Sequence, residues 1–583
     1  MSAQAAKTTL LVGIDFGTTF SGVSWLLHKD GADPGKPEVI DIWPALLARD
    51  SSQVKVPSKL YYDGESQDVA FGYNIPADAQ PIEWFKLLLL EPEDLQNHIR
   101  DSTHIKLAKL RMQELGKCPV ELVGDYLKAL WDHCINEIED ENGDYLIRAT
   151  PIHVVLTVPA IWKGYARQRM QEAATKAGIL GYRPAGKTTL SFISEPEAAT
   201  LATLSELDVR QDLSVGESFV VLDAGGGTVD IISYKVEKLD PLVVSECVEG
   251  DGALCGATFL DEAFENFMKV RVGAQIWAVM DREAMKKMMS SEWEHGIKSE
   301  FNGKKLNYTI DVPKKGKRTQ EKVTSTEIRK IFDSVMPQIR NLLGEQVDGV
   351  ITKTGRSPKF VLLVGGFGRC PYLFEDLKES FSNRVSVLKA RGDKPWSAVC
   401  RGATLSGVAG RGITSENNVR VQSRVARLSY GMTYHAHWDE AVHDLRDKFL
   451  CPTTGSWFAR DQLQWFVKRG QVMSALQPEV HEFTRQWPIT QRGHVDITET
   501  IYTSNDQYPT ARYDSTVSHG CSFSLRTPRG IEEMAKQHEN GLEFRQWVVS
   551  YKVVASGAAI DVTVIDTKTG RELVSEKITV QMV

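Results

Sequence analysis

Leu10-Leu-Val-Gly-Ile-Asp15-Phe-Gly17-Thr18-Thr19 is an apolar run that ends in a carboxylate and turns at once on a glycine and two hydroxyls. It reads as a buried strand delivering a turn. Gly17 lets backbone amides approach an anion with no Cβ in the way, and the threonine hydroxyls add donors, so the turn suits a phosphate. Asp15 would repel that phosphate unless a divalent cation stood between them, which implies Mg²⁺ held largely through water. Such a turn is common by itself. The chain repeats it, however, as Phe219-Val-Val-Leu-Asp223-Ala-Gly225-Gly226-Gly227-Thr228-Val-Asp230, followed by a second apolar stretch, Ile231-Ile-Ser-Tyr. A repeat this widely spaced marks two half-domains and not a solenoid. If the halves face one another, Asp15 and Asp223 converge on one cation and the two turns clamp one polyphosphate.

A third strand-into-glycine turn follows in Phe360-Val-Leu-Leu-Val-Gly365-Gly366-Phe367-Gly368-Arg369, ahead of the amphipathic segment Tyr372–Phe381. Its paired glycines would admit a flat base or ribose, and Arg369 offers a guanidinium plane to stack on it. With these three turns in this order, the sequence resembles the heat-shock protein 70 family of the actin-like ATPase superfamily over about its first 410 residues.

The resemblance implies an α/β fold: an actin-like ATPase of two duplicated ribonuclease-H-like lobes, followed by a mostly β C-terminal domain. The nucleotide-binding domain is expected over residues 1–410, with lobe I near 1–205, lobe II near 206–410 and a helical insertion near 255–345; the β-rich domain is expected over 422–583. The cofactors implied are ATP or ADP with Mg²⁺, the metal at Asp15 and Asp223. Gly17, Thr18, Thr19, Gly225, Gly226, Gly227 and Thr228 would hold phosphates, and Gly365, Gly366 and Arg369 the nucleoside. Lys86, in Trp84-Phe85-Lys86, resembles the family lysine that meets the terminal phosphate and the attacking water; read alone, it is first of all a helix lysine reaching past an apolar run. Glu195, in Ser194-Glu195-Pro196-Glu197-Ala198-Ala199, matches the first connecting segment and would orient the hydrolytic water beside Asp223 and Thr228, while Glu-Pro is also a favourable helix start. Gly250-Asp-Gly-Ala-Leu-Cys255-Gly256 resembles a further phosphate loop in which Cys255 replaces a glycine, so Gly256 alone carries over. Glu294 and Lys298 resemble an acidic and basic pair at the adenosine, or are a surface ion pair at i, i+4. Pro395–Ala403 resembles the second connecting segment. Phe367 and Trp396 stand where the family usually has Ser and Asp.

Composition narrows the function classes. The chain has 583 residues and a formal charge of -7, which gives no reason to expect nucleic acid as the main ligand. Its length exceeds what one core usually supports. No secretory leader or membrane span is read in it, and the eight cysteines lack any Cys-x-x-Cys pair, so reduced thiols and a cytoplasmic location are expected. The run Lys314-Lys-Gly-Lys-Arg318 fits a solvated hairpin tip or a nuclear-localisation patch. Asn307-Tyr-Thr309 is a glycosylation sequon by chance.

Two patterns are set aside. Gly181-Tyr-Arg-Pro-Ala-Gly186-Lys187-Thr188 matches the Walker A pattern, but a helix precedes it and a strand follows, the reverse of what a P-loop needs. His435, His437 and His443 have no ligand spacing around them and read as structural.

Gly410–Asn418 is a polar junction without the acidic, leucine-rich linker of the family's chaperones. Beyond it, Ala426–Tyr434, Val495–Tyr502 and Ile560–Gly570 alternate with period two, and the chain ends after a strand with no helical lid read in it. The expectation is an ATP-binding protein with slow, Mg-dependent hydrolysis coupled to a polypeptide client or co-chaperone. A nucleotide-gated scaffold with negligible turnover and a small-molecule kinase remain open, because fold does not fix function.

Overall fold

The computed structural model describes residues 8–30, 33, 35–46, 52–64, 69–76, 78–206, 212–280, 282–304, 307–314, 317–389, 394–409, 419–556, 559–573 and 578–581. It divides into two compact units, Met1–Arg420 and Val421–Val583. The polar junction at 410–418 lies outside the described residues. No described helix is long and apolar enough to cross a membrane.

In the first unit, strand β1 (Thr8–Phe16) is buried along its length beyond Thr8. A central strand covered on both faces has no polar face to show, so it reads as an unbroken apolar run. It pairs antiparallel with β2 (Phe20–Lys29), which sets Asp15 opposite Gly22. Helices α1 (Pro119–Asn142) and α2 (Gly164–Lys176) pack on each other around β3 (Ile152–Val158) in the chain. β3 and then β4 (Thr189–Ser194) extend the sheet in parallel from β1, giving the order β2-β1-β3-β4. Helix α3 begins at Glu195 directly off β4 and runs to Glu206.

A second sheet follows the same plan. Strand β5 (Ser218–Ala224) pairs antiparallel with β6 (Val229–Leu239), which pairs antiparallel with β7 (Leu242–Ala253). On its other side β5 runs parallel to β8 (Phe360–Val364), and β8 to β9 (Ser386–Lys389). Between β7 and β8 lies a largely helical stretch: helix α4 (Ala257–Val272), a π-helical segment Met288–Lys298, a hairpin and two further helices. The first of those helices starts on a capping box in which the Thr324 hydroxyl and the Glu327 carboxylate each accept from the other's backbone amide. The apolar periodicity that reads as one helical face is split over two helices: Ile328, Ile331 and Phe332 lie on Ser325–Phe332, Ile339 and Leu342 on Met336–Thr354, with Val335 at the N-cap between, and all six are buried. Helix α5 (Lys394–Ala409) then crosses back over α3 and β1. That crossing is close: a Cβ on Gly402 would stand 1.6 Å from the Ala198 carbonyl oxygen, and one on Gly13 2.4 Å from that of Cys400.

The Walker-like stretch is a connection from α2 to β4, closed by Gly178 and Gly186 at φ +78 and +111. It has neither the preceding strand nor the following helix of a phosphate loop.

The second unit is made of antiparallel strands. β10 (Ser429–His437) pairs with β11 (Trp457–Val467) and, after β12 (Glu479–Pro488) in the chain, with β13 (Asp496–Ser504), which pairs with β14 (Ser518–Arg526). β12 joins a different sheet with β15 (Leu542–Ser556), β16 (Ala559–Asp566) and β17 (Ile578–Gln581). Tyr430, Met432, Phe466 and Ile501 from the one sheet share a core with Phe483, Trp547, Tyr551 and Val562 from the other. Two sheets burying one face each against the other form a sandwich. His435 packs edge-on to Phe449, His437 lies on Phe458, and His443 accepts the Asp439 amide. Among the described residues no cluster of His, Cys, Asp or Glu is placed to hold a metal ion directly.

Candidate functional site

The three glycine turns sit at the ends of β1, β5 and β8, and all three border one cavity of about 690 Å³, within the usual range for a small-molecule site. The first two touch. A Cβ on Gly226 would lie 1.9 Å from Thr19 Oγ1, and one on Gly227 2.4 Å from Thr18 Oγ1. Glycine is needed there because the facing threonines leave no room for a side chain. The third turn is as tight: Gly365 has φ +84, and its Cβ would meet Asp223 Oδ1 at 2.3 Å.

The N-terminus of α4 is built onto the second turn. The amides of Ala257 and Thr258 donate to the carbonyls of Gly225 and Gly226 at 3.1 and 2.9 Å. Gly256 is placed differently from the sequence expectation. It stands behind the turn, its amide donating to the Gly227 carbonyl at 3.2 Å, and a Cβ there would come 2.3 Å from the Gly226 carbonyl oxygen. It therefore spaces the turn and does not line the cavity. Every other expected site residue borders the cavity: Asp15, Gly17, Thr18, Thr19, Lys86, Glu195, Asp223, Gly225, Gly226, Gly227, Thr228, Glu294, Lys298, Gly365, Gly366 and Arg369.

Lys86 lies in a short 3₁₀ turn, Phe85–Leu89, entered through Trp84 in the left-handed region at φ 60. Its ammonium is buried, 2.9 Å from Glu195 Oε1 and over the rings of Phe16 and Trp162. This lysine does not reach for solvent. Burial pushes the Glu195 carboxyl up against the pull of Lys86. Asp223 is raised well above the usual carboxylate range by burial and then by the charges of Glu195, Asp230 and Asp15. Asp230, which accepts the Ala160 amide at 2.7 Å, is pushed up to about 7 by burial and by Glu195.

At the other end of the cavity, Lys298 pairs with both Glu294 and Asp261, the latter at 2.7 Å, with only 8% of its side chain exposed. The pair is thus no surface ornament of a helix. Asp261 also accepts Trp293 Nε1 at 2.7 Å, and burial, opposed by Lys298, pushes it up to about 6. Arg369 borders the cavity with its guanidinium 5.4 Å over the Trp396 ring, and the Trp396 edge meets Phe20 at 5.5 Å. The plane expected to stack on a base is stacked on a tryptophan.

Sequence reading did not find Lys55, whose Nζ stands 2.5 Å from Asp15 Oδ2. Burial is the strongest influence and works against that ammonium, but the charge and hydrogen bond of Asp15, with Cys400 and Asp223 nearby, together outweigh it and hold its pKa above the usual value. No periodicity marks residues 52–55, and the pair is separated by 40 positions. Asp261 was visible at the end of the loop after Gly250 but had no assigned role.

The carboxylates meet a divalent cation unequally. Asp223 faces the cavity with no ion pair to it among the described residues and fits a hydrated cation. Asp15 already carries the Lys55 ammonium on Oδ2, so part of its charge is neutralised before any cation arrives.

A sequence model described as Hsp70 protein matches residues 133–458, more than half of the chain. The chain belongs to the heat-shock protein 70 family. The first glycine turn of this Hsp70-family protein lies before the matched span, yet the fold brings it onto the second. The protein is 21% identical to heat shock 70 kDa protein 12A of Mus musculus over 521 residues, 74% of this chain and 73% of that protein. It is 25% identical to heat shock 70 kDa protein 12B of Homo sapiens over 335 residues, 48% and 47% of the two chains. A chaperone protein HscA homolog of Janthinobacterium sp. (strain Marseille) is 26% identical over 405 residues, 65% and 56%. These relatives make it a divergent member. A second model, described as a domain of unknown function, matches residues 424–524. The Hsp70 match starts within the unit that holds the cavity and ends at residue 458, in the second unit.

Proposed function

We propose that this Hsp70-family protein binds ATP and ADP in the cavity of its first unit, hydrolyses ATP slowly, and couples the bound nucleotide to a polypeptide client or co-chaperone held by the strand-rich unit. The observation that carries this reading is the meeting of three glycine turns around a buried Lys86–Glu195 pair.

Phosphoryl transfer to water needs little covalent chemistry from a protein; it needs positioning and charge. In this reading the amides of Gly17–Thr19 and Gly226–Thr228 hold the phosphates, the Gly225 amide being spent on the Thr228 carbonyl at 2.9 Å, and the Thr228 hydroxyl donates to the last of them. Lys86 stabilises charge developing on the transferred group, and Glu195 accepts a hydrogen bond from the attacking water and orients it. A hydrated Mg²⁺ arriving with the nucleotide would neutralise polyphosphate charge beside Asp223. Glu294, Lys298 and the Trp396 wall would select the nucleoside. The eight free cysteines suit a reducing compartment such as the cytoplasm.

A scaffold with negligible turnover is the second reading. It is favoured by the Lys86–Glu195 contact at 2.9 Å, which already engages the carboxylate that would otherwise orient the water.

Titration calorimetry of the full chain with ATP, ADP and several sugars, with phosphate release measured alongside, separates these readings. Binding of ATP and ADP with slow release is expected. Binding without release selects the scaffold, and binding of a sugar with transfer to it selects a kinase. No nucleotide binding at all would sink the assignment.

A further inference from the structure

Lys55 precedes a short strand, Val56–Pro57, that pairs with Phe20–Ser21 at the start of β2. The segment is tied to the first glycine turn through Ser58, three residues on, whose hydroxyl donates to the Gly17 carbonyl and whose amide donates to the Thr19 carbonyl, both at 2.7 Å. The Tyr73 hydroxyl donates to the Lys55 carbonyl at 3.2 Å. The side chain then runs inward across Gly22, the residue opposite Asp15. A Cβ on Gly22 would stand 3.1 Å from Lys55 Cγ and 3.2 Å from Cε, so the missing side chain is the slot in which the lysine lies. The ammonium ends on Asp15 Oδ2, with 9% of the lysine side chain and 5% of the aspartate side chain exposed. Both residues border the cavity beside Gly17, Thr18 and Thr19.

An ammonium has three N–H donors, and Asp15 takes one. The others are within the same wall as the first phosphate turn. A fixed positive charge at this place removes the repulsion between Asp15 and an entering phosphate. Without it, only a mobile cation could do so.

We propose that Lys55 is a tethered cation for the polyphosphate, standing at Asp15 in place of a divalent metal, so that this chain binds ADP and ATP with magnesium removed. The inference rests on the nucleotide reading above and specifies how that site neutralises charge.

The test is calorimetry of the full chain with ADP and with ATP, each in Mg²⁺ and in excess EDTA. It covers the wild type, Lys55→Met, Lys55→Arg and the double variant Asp15→Asn with Lys55→Met, which leaves no buried unpaired charge if the single methionine variant fails to fold. The wild type and Lys55→Arg are expected to keep binding in EDTA. Lys55→Met and the double variant are expected to lose metal-free affinity by about tenfold or more, the scale of a charge-assisted hydrogen bond. The inference is overturned if the wild type binds nucleotide in Mg²⁺ and not in EDTA. It is also overturned if the variants lacking the lysine bind metal-free nucleotide as the wild type does. Absence of binding in either medium would overturn the nucleotide reading itself.

Discussion

Gly226 can only be glycine while Thr19 faces it, since any Cβ would sit 1.9 Å from the threonine hydroxyl. Replacing it with alanine is expected to force the two turns apart at a cost of about 1 to 3 kcal/mol, the usual range for overpacking. Thermal unfolding should show that modest loss while calorimetry shows a disproportionate loss of nucleotide affinity. Lys86→Met makes a different case. It leaves Glu195 buried without its ammonium, and breaking a buried pair from one side costs about 3 to 5 kcal/mol. Urea unfolding should show a drop of that size, largely recovered by adding Glu195→Gln. If the single variant is as stable as the wild type, the pair is not the neutralising contact described above. At this scale the sequence was legible where glycine and an apolar run coincide, because both obey local rules. Lys55 was not, since its partner is 40 residues away and its own segment carries no pattern. Arg369 was legible as a cavity residue, but its stacking partner, Trp396, could be assigned only once α5 was placed beside β8.

Helices α3 and α5 meet where Gly402 lies on the Ala198 carbonyl, with Cys400 and Thr404 close over Gly13 of β1. The start of α3 is Glu195, so this packing fixes the height at which the carboxylate enters the cavity. Gly402→Ala is expected to push α5 off α3, lowering the melting temperature and slowing phosphate release together, because a 1.6 Å approach cannot be absorbed by side-chain rotation. A variant that loses stability but retains turnover would show that α3 is held by other contacts. The Walker-like connection between α2 and β4 gives the converse prediction. Lys187→Ala should leave ADP affinity unchanged in calorimetry, since its loop has a helix before it and a strand after it. The connecting segments were legible in the sequence by their small residues. Which helix they would lie against was not, because an Ala-rich face fits any close partner.

On the scale of the whole molecule, the two units differ in where charge is kept. The first lines its cavity with Glu195, Asp223 and Asp261, whose pKa values burial raises. The second buries Asp566 in a purely structural role, accepting hydrogen bonds from Thr569 Oγ1 at 2.5 Å, Trp547 Nε1 at 2.9 Å and Arg529 Nη1 at 3.2 Å. Burial acts to raise its pKa, but these donors outweigh it and hold the carboxyl below its usual value. A depressed pKa contributes stability above the unfolded value, and that contribution is lost as the pH falls through the folded one. The strand-rich unit should therefore weaken below about pH 4, where ordinary aspartates take up protons. Asp566→Asn should flatten that fall, and hydrogen exchange of β15 and β16 as a function of pH reads it directly. Unchanged acid sensitivity in the variant would place the effect elsewhere. The β character of this unit was legible from alternation alone, whereas its sorting into two sheets depends on pairings such as β12 with β15 that no local pattern announces.

The contact between the first two glycine turns constrains how the sequence can change over generations. Thr18 with Gly227, and Thr19 with Gly226, each share one small volume. A mutation that enlarges one member must wait for another that shrinks its partner, so each pair should drift as a unit across descendants of this chain. The same bookkeeping predicts second-site suppression: the defect of Gly226→Ala should be relieved by Thr19→Gly and by no comparable change at Thr18. The two glycine turns, written some two hundred residues apart, are in this respect a single inherited trait.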